Sequence, residues 1–402
     1  MSPVKKTIKM EWQDLDVLLI ESDNKESQEN STIIIENEDM FVELTESTDN
    51  YPLKKMMSQL YSDSDQYSEN TSDHNLIGKW KTNARYNMSE LPAVPVFGYK
   101  QVKIGSPVIM LSEKFTDMRS FMSAFEDVIW VTYRYGFEPI VYKDKIFTSD
   151  TGWGCTIRVG QMLFLNTLKR HFQTTSCIEI LELIQENLPA APFSLQKIVE
   201  YAKTVEKNPG EWYSPCLISH VLKALALSFK IPNMKVYVFM DSVISINTIS
   251  KNESFLMLIP LMLGIGHIQP EYYEAIKFFL SIKYSVGIIG GIPKSALYLI
   301  GYQEDHLLFL DPHLVQQACS SGQDMINKLS TFHCKSAKLL PFEMAESSLS
   351  LGFYFRKFEE FKDFVKVVEG NDEILHGVIR FKEQNCSEDS RSSSENDDFY
   401  IV

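Results

Sequence analysis

Residues 149–161 read Ser-Asp-Thr-Gly-Trp-Gly-Cys-Thr-Ile-Arg-Val-Gly-Gln, a glycine-rich turn that leads straight into a helical pattern. Cys155 therefore stands at the predicted N-terminus of a helix. Free backbone N–H groups and the positive end of the helix dipole stabilise a thiolate at such a position. Because the thiolate is the nucleophilic form of cysteine, the turn predicts covalent catalysis by Cys155. The alternative is a buried cysteine that only fills space as a small apolar side chain.

A second group of polar residues, at 306–316, reads His-Leu-Leu-Phe-Leu-Asp-Pro-His-Leu-Val-Gln. An apolar strand delivers Asp311 and His313 on either side of a proline, and residues two apart in an extended chain share a side. His313 could then act as general base and general acid toward Cys155, while Asp311 fixes the tautomer of the imidazole. The alternative is a strand-ending turn in which Asp311 accepts backbone hydrogen bonds and His313 is only exposed.

The composition indicates a large globular protein without a disulfide framework. Of its 402 residues, 44% are apolar and 12% aromatic, enough for a large core in one domain or in a domain with an appended lobe. The six cysteines form no Cys-x-x-Cys pair, so we expect neither a metal site nor a cofactor. No signal peptide is evident, and no apolar run approaches the ~20 residues of a membrane span, so we expect a cytoplasmic protein.

The net charge of −14 is concentrated at the two ends of the chain. Residues 1–75 hold 17 acidic against 6 basic side chains, and residues 384–402 hold 5 against 1, so these segments carry −11 and −4. Such acidity argues against nucleic acid as a partner of the tails. Both segments are also rich in Ser, Asp, Asn and Glu. We therefore predict a disordered acidic arm over 1–75, a folded domain over 76–383 and a disordered acidic tail over 384–402.

Hydrophobic periodicity predicts helices first and strands later. Apolar residues recur at helical spacing over 118–135 and again after Cys155. From 235 to 355 the pattern changes to short β-branched or aromatic runs, with helices expected at about 270–283 and about 357–368. Helices followed by a mostly antiparallel sheet indicate an α+β fold. The strands are expected at 236–240, 255–259, 286–289, 296–302, 307–310 and 352–355.

Five blocks of the sequence resemble, in order, the autophagin family, the cysteine proteases named autophagy-related protein 4. The blocks are Trp130–Arg134, Ser149–Gln161, Gly210–Pro215, Leu258–Gly264 and Gly287–Gln316. The resemblance implies a papain-like cysteine protease fold with a small inserted lobe over the folded domain. Residues 79–83 and 106–110 resemble the branch of the family that has long N-terminal extensions.

The resemblance also implies a role for each site residue. Cys155 matches the nucleophile, His313 the base, Asp311 the orienting acid, and Tyr133 a tyrosine that helps to hold the oxyanion together with the backbone N–H of Cys155. Trp212 matches a tryptophan that covers a glycine-accepting groove together with a mobile loop. That loop corresponds to Pro260, Leu261, Met262, Leu263 and Gly264. From the residues alone, the favoured interpretation of Trp212 and Tyr133 is as core aromatics, with Tyr133 on a helix.

The implied function is cleavage after a glycine near the C-terminus of ubiquitin-like autophagy modifiers of the GABARAP kind. One outcome would be maturation of the modifier precursor, and the other its release from phosphatidylethanolamine, with membrane contact only transient and through the substrate. Two alternatives stay open. The chain could be an inactive homologue that binds modifiers, or a peptidase for another ubiquitin-like protein.

The last residues of the chain, 395–402, place an aromatic and an aliphatic side chain three apart behind acidic residues. Phe399 and Val402 could fill two pockets while the backbone adds a strand to a sheet edge of the modifier. The pattern resembles the interaction motif that binds these same modifiers. Residues 12–15 and 41–44 fit the pattern with less support.

Overall fold

The computed structural model describes residues 99–173, 177–187, 191–240 and 242–382, together with the backbone of four short strands nearer the N-terminus. These are β1 (Lys5–Lys9), β2 (Asp16–Ile20), β3 (Glu36–Asn37) and β4 (Met40–Phe41), which form two antiparallel pairs. The other residues of the arm predicted for 1–75 lie outside the described residues. So do all residues of the tail predicted for 384–402, including Phe399 and Val402.

Most α-helices of the described region come before residue 230 in the sequence, and helices pack on both faces of the large sheet. The α-helices are α1 (Met118–Asp127), α2 (Cys155–Phe172), α3 (Ile178–Glu182), α4 (Leu195–Ala202), α5 (Pro215–Phe229), α6 (Tyr273–Ser281), α7 (Gly322–Asn327), α8 (Phe358–Glu369) and α9 (Asp372–Leu375). Short 3₁₀ turns occur at Lys203–Val205, Ile246–Thr248, Pro270–Tyr272, Leu329–Phe332 and Phe342–Met344. No helix in this part of the chain is both long enough and apolar enough to cross a membrane.

The remaining strands are mostly found in the second half of the chain. They are β5 (Lys100–Gln101), β6 (Val108–Met110), β7 (Glu113–Phe115), β8 (Tyr133–Tyr142), β9 (Lys145–Ser149), β10 (Met234–Val238), β11 (Val243–Ser245), β12 (Ser254–His267), β13 (Ser285–Ile292), β14 (Ser295–Gln303), β15 (His306–Leu310), β16 (Val315–Gln317), β17 (Lys338–Pro341), β18 (Glu346–Phe355) and β19 (Arg380–Lys382). All six strands expected from 235 onward are present, but β12 continues eight residues beyond its expected end at 259 and β18 begins six residues before its expected start at 352.

A ten-stranded sheet forms the centre of the domain. Its path is β10-β12-β18-β13-β14-β15-β17-β5, and β6 pairs with β14 and β7. Within this sheet only β10 and β12 are parallel, so the expectation of a mostly antiparallel sheet in an α+β fold is confirmed. A separate three-stranded sheet, β16-β8-β9, carries the residues that flank the Cys155 turn.

Both faces of the large sheet are buried, and β14 shows how. Tyr298 and Ile300 belong to the hydrophobic cluster that contains helix α2, whereas Leu297 and Leu299 belong to the cluster that contains α6 and α8. This division follows from the period of two in a strand, which points successive side chains to opposite faces. Helix α2 therefore packs across one face of β13 and β14. This packing brings the N-terminus of α2 to the start of β14.

Two sequence expectations about local structure were wrong. The helix predicted over 118–135 ends at Asp127, because tertiary backbone pairing takes over: Trp130 N–H donates to the Phe332 carbonyl (2.9 Å), and Tyr133 N–H to the Pro312 carbonyl (2.9 Å). Tyr133 thus begins strand β8 and is not helical. The predicted mobile loop at 260–264 lies within β12, where residues 260–262 pair in register with β18 before the ladder becomes irregular.

Candidate active site

Cys155 is the first residue of helix α2 and is buried, with 2% of its surface exposed. Gly154 occupies the N-cap position and provides no side-chain cap, so the first N–H groups of the helix stay available. The turn before the helix is closed by the Asp150 carbonyl, which accepts hydrogen bonds from Trp153 N–H (3.2 Å) and Gly154 N–H (2.9 Å). The predicted junction of glycine turn and helix is therefore present.

The environment of Cys155 favours the thiolate. Burial by itself would raise the pKa of Cys155. The hydrogen bond and positive charge of His313, the backbone N–H of Ala296 and the hydroxyl of Tyr133 act in the opposite direction, and the net pKa is lowered. The structure thus brings Cys155, His313 and Tyr133 together, as the sequence predicts. The Ala296 N–H, from the start of β14, is a contact that sequence reasoning missed.

His313 and Asp311 form a short, partly buried ion pair. His313 Nδ1 lies 2.6 Å from Asp311 Oδ1, which also accepts the backbone N–H of His313 at 3.0 Å. Burial would lower the pKa of His313, but the negative charge and hydrogen bond of Asp311 raise it to about 9. Burial would raise the pKa of Asp311, but the charge of His313 lowers it to about 2. Asp311 is therefore ionised and His313 protonated at neutral pH.

A set of neighbouring groups fixes this pair in place. The Trp130 indole N–H donates to the Asp311 carbonyl at 2.7 Å, and the Tyr133 ring meets the His313 ring edge-on, with centroids 5.4 Å apart. His313 Nε2 also lies 3.1 Å from the hydroxyl oxygen of Ser295, a second contact from β14 that the sequence analysis did not foresee. Strand-ending turn chemistry is present at Asp311, but His313 is held in the site and is not merely exposed.

This arrangement can perform nucleophilic acyl transfer. A Cys155 thiolate beside a protonated His313 supplies a nucleophile together with a proton donor for the leaving group. The Tyr133 hydroxyl and the N–H of Cys155 are hydrogen-bond donors beside the sulfur, where a carbonyl oxygen would acquire negative charge. Within the described ranges, no three His, Cys, Asp or Glu side chains converge so as to hold a metal ion.

A cluster of buried charges behind the turn was also missed. Arg158, one turn after Cys155, pairs with Asp150 (Nε to Oδ2, 2.7 Å) and with Glu186 (Nη1 to Oε1, 2.6 Å), and all three side chains are nearly inaccessible to solvent. Arg134, directly after Tyr133, is 1% exposed and donates to the Gln317 carbonyl at 3.1 Å. The sequence shows an acid and a base, Asp150 and Arg158, on either side of the cysteine, but no pattern in it predicts that both are buried.

Trp212 lies in the segment before α5 and is 38% exposed, so its interpretation as a core aromatic is wrong. Helix α5, which follows this segment, packs against β12, the strand that carries residues 260–264. The Ser219 hydroxyl oxygen, one turn into α5, lies 2.9 Å from the Ser350 hydroxyl oxygen, and Ser350 pairs with Pro260. Met262 is 59% exposed. A groove made by Trp212 and residues 260–264 stays a prediction.

A family profile and several named proteins match this part of the chain. The sequence profile of the peptidase C54 catalytic domain matches residues 118–367. A protein of Aspergillus niger named "Probable cysteine protease atg4" is 32% identical over 296 residues, which cover 62% of this chain and 72% of that protein. Cysteine protease ATG4 of Candida albicans is 29% identical over 68% of this chain and 70% of its own length. Human cysteine protease ATG4C is 29% identical over 61% of this chain and 70% of its own length. The matched region contains every residue of the Cys155 site, and the chain belongs to the peptidase C54 family of cysteine peptidases.

Proposed function

We propose that this peptidase cleaves after the C-terminal glycine of ubiquitin-like autophagy modifiers of the GABARAP kind. In this proposal it both matures the modifier precursor and releases the modifier from phosphatidylethanolamine. The observation that supports it best is the contact of Cys155 with His313 and Tyr133, in a chain whose relatives are named ATG4 cysteine proteases. Precursor and lipid conjugate share one bond type, an amide at the glycine carbonyl. One site can therefore serve both substrates.

The proposed reaction has two halves. The Cys155 thiolate attacks the glycine carbonyl carbon, and the resulting oxyanion is stabilised by the Tyr133 hydroxyl and the Cys155 N–H. The tetrahedral intermediate collapses as the C–N bond breaks, and His313 gives its proton to the leaving amine. A water molecule then attacks the thioester, with neutral His313 accepting one of its protons. The C–S bond breaks, the thiolate and imidazolium re-form, and the glycine carboxylic acid is released and loses its remaining proton to solvent. In the lipid conjugate the leaving amine is that of phosphatidylethanolamine.

Specificity for glycine is assigned to Trp212 and residues 260–264. A slot between two flat walls excludes any side chain at the residue before the cut. The exposed ring of Trp212 supplies one wall in this proposal, and the exposed part of β12 around Met262 supplies the other.

The alternative of an inactive binding homologue is opposed by the state of Cys155. A tether needs no nucleophile, yet burial, which would otherwise raise the pKa of this cysteine, is overcome by three hydrogen-bond donors. A peptidase for a different ubiquitin-like protein would use the same chemistry. Substrate selection in the test below distinguishes that possibility.

The proposal is tested with purified modifier precursors and with modifier conjugated to phosphatidylethanolamine in liposomes. Wild-type protein should release the C-terminal extension and the lipid, and Cys155→Ala should release neither. Cys216→Ala is the matched control, since Cys216 is a half-buried thiol whose pKa burial raises to about 11. Changing the substrate glycine to alanine should block cleavage. Absence of Cys155-dependent cleavage of every member would refute the proposal, and cleavage only of another ubiquitin-like protein would reassign the substrate.

We also propose that Phe399 and Val402 bind the modifier away from the cleavage site. The pattern of an aromatic and an aliphatic residue behind acidic residues supports binding by strand addition. Removal of residues 399–402 should weaken the affinity for the modifier in calorimetry while the alkylation rate of Cys155 stays the same. Equal affinity of the truncated and full-length proteins would exclude this motif.

A further inference from the structure

Asp150 contacts three separate parts of the catalytic centre. Its carboxylate is fully buried; Oδ1 accepts the backbone N–H of Arg134 at 2.7 Å, and Oδ2 accepts the Arg158 Nε–H at 2.7 Å. Its carbonyl oxygen closes the turn by accepting the N–H groups of Trp153 and Gly154. One residue therefore joins strand β8, the glycine turn and the first turn of helix α2.

Each residue that Asp150 contacts is close in sequence to Tyr133, which hydrogen-bonds to the sulfur, or to Cys155 itself. Arg134 directly follows Tyr133, whose hydroxyl hydrogen-bonds to Cys155. Gly154 directly precedes Cys155, and Arg158 lies one turn further along the same helix. The distance between the Tyr133 hydroxyl and the sulfur consequently depends on how Asp150 holds β8 against the turn.

The Asp150 side chain is also closely packed against Gly154. A Cβ atom built on Gly154 would lie 2.3 Å from Asp150 Oδ2, so the carboxylate occupies the volume that a side chain at position 154 would need. Gly154 has φ −85°, which any residue can adopt. Glycine is required at this position for room and not for backbone conformation.

Stability alone does not account for such a group. The cluster contains two acids, Asp150 and Glu186, and two bases, Arg134 and Arg158; Asp150 and both arginines are buried, and the Glu186 side chain is 7% exposed. Ion pairs of this kind are expensive to desolvate, and apolar replacements of similar volume are often as stable or more stable. What an apolar side chain could not do is accept hydrogen bonds from β8 and α2 at the same time.

We propose that Asp150 is a positioning residue that fixes the Tyr133 strand against the Cys155 turn and thereby controls the rate of the chemical step. It acts only through Tyr133 and Cys155 and has no contact with substrate. A displacement of about 1 Å in such a site can cost about 100-fold in rate. The inference concerns the cysteine peptidase reaction and uses the substrate assigned under the proposed function only as an assay.

The test compares Asp150→Asn with Glu186→Gln. Each variant removes one negative charge from the same buried cluster. The asparagine can accept only one of the two donors, Arg134 N–H or Arg158 Nε–H, and must turn its own NH₂ toward the other. The glutamine keeps an oxygen for Arg158 Nη1, the hydrogen bond that Glu186 makes in this cluster, and it loses no hydrogen bond to the β8 backbone or to the turn.

Asp150→Asn should lower kcat by about 100-fold with KM changed less than about 2-fold, while Glu186→Gln should keep kcat within about 5-fold of wild type. The pH profile of Cys155 alkylation by iodoacetamide should shift upward only in Asp150→Asn, because the Tyr133 hydroxyl leaves the sulfur. This second measurement needs no protein substrate, so it stands even if the proposed modifiers are not cleaved.

Arg158→Lys provides a variant if Asp150→Asn does not fold. It keeps the positive charge but cannot bridge both carboxylates with a planar fork, so kcat should fall by about 10-fold, again without a change in KM. The proposal is overturned if Asp150→Asn and Glu186→Gln lose activity equally, or if the alkylation profile stays unchanged in Asp150→Asn. Unchanged kcat in Arg158→Lys would overturn it as well.

Discussion

Replacement of Gly154 by alanine is expected to inactivate the enzyme more than it unfolds it. The new Cβ would lie 2.3 Å from Asp150 Oδ2, 2.7 Å from its Cβ and 2.9 Å from its Cγ. Ordinary carbon contacts need about 3.5–4.0 Å, so the Asp150 side chain or the turn must move by about 1 Å. Asp150 cannot simply rotate away, because its two oxygens are held by Arg134 and Arg158 in a fully buried position.

Two consequences follow from this displacement. Overpacking of a filled site should lower the free energy of unfolding by about 1–3 kcal/mol, measured by urea denaturation. A shift of about 1 Å at the nucleophile turn should lower kcat/KM for precursor cleavage by about 100-fold. Gly160→Ala is the matched control, since its Cβ would lie 2.5 Å from Ile218 Cγ1 on helix α5 and not against the Cys155 turn.

The control should therefore lose stability but keep kcat/KM within about 5-fold of wild type. The reasoning would be refuted if Gly154→Ala kept both the stability and the activity of wild type. Equal losses of activity in the two alanine variants would refute it too, because general destabilisation would then explain the result.

Three further predictions concern the catalytic pair and its surroundings. Peptidase activity should fall as pH rises through about 9, where His313 loses the proton it gives to the leaving amine; an activity profile that still rises above pH 10 would contradict this. His313→Gln should also slow Cys155 alkylation at pH 7, because an ordinary thiol is only about 3% thiolate at that pH. Tyr133→Phe should lower kcat by about 100-fold with little change in KM, as expected for an oxyanion donor, and a purely packing role would leave kcat within a few-fold. Trp130→Phe removes the N–H that satisfies the Asp311 carbonyl at 2.7 Å and should cost about 1–3 kcal/mol in urea unfolding, whereas an unchanged midpoint would show that another donor replaces it.

The chemistry of this site can be predicted from the sequence where it depends on residue type and local spacing. Cys155 after a glycine turn, and Asp311 and His313 two apart at a strand end, follow local rules that the fold preserves. The large sheet was also predictable, because its strands carry continuous apolar or β-branched runs. These features do not depend on where distant segments meet.

Other features depend on tertiary contacts that no local sequence pattern predicts. The helical period continues past Asp127, but pairing of Trp130 with Phe332 converts the following residues to extended chain and moves Tyr133 to a strand. The Ala296 N–H that stabilises the thiolate is a backbone group and has no side-chain signature. Asp150 and Arg158 are eight residues apart across a turn, and their ion pair depends on the conformation of that turn, which the sequence does not specify.

Helix α2 buries 13 of its 18 residues, on every side of the helix. A helix that is enclosed in this way cannot fray or open locally without disrupting the packing of the large sheet and of α5. The amide hydrogens of its central turns should consequently exchange with solvent only through global unfolding. The nucleophile thus stands at the start of a helix that opens only with the domain, and the enzyme loses its reactive cysteine and its fold in the same cooperative event.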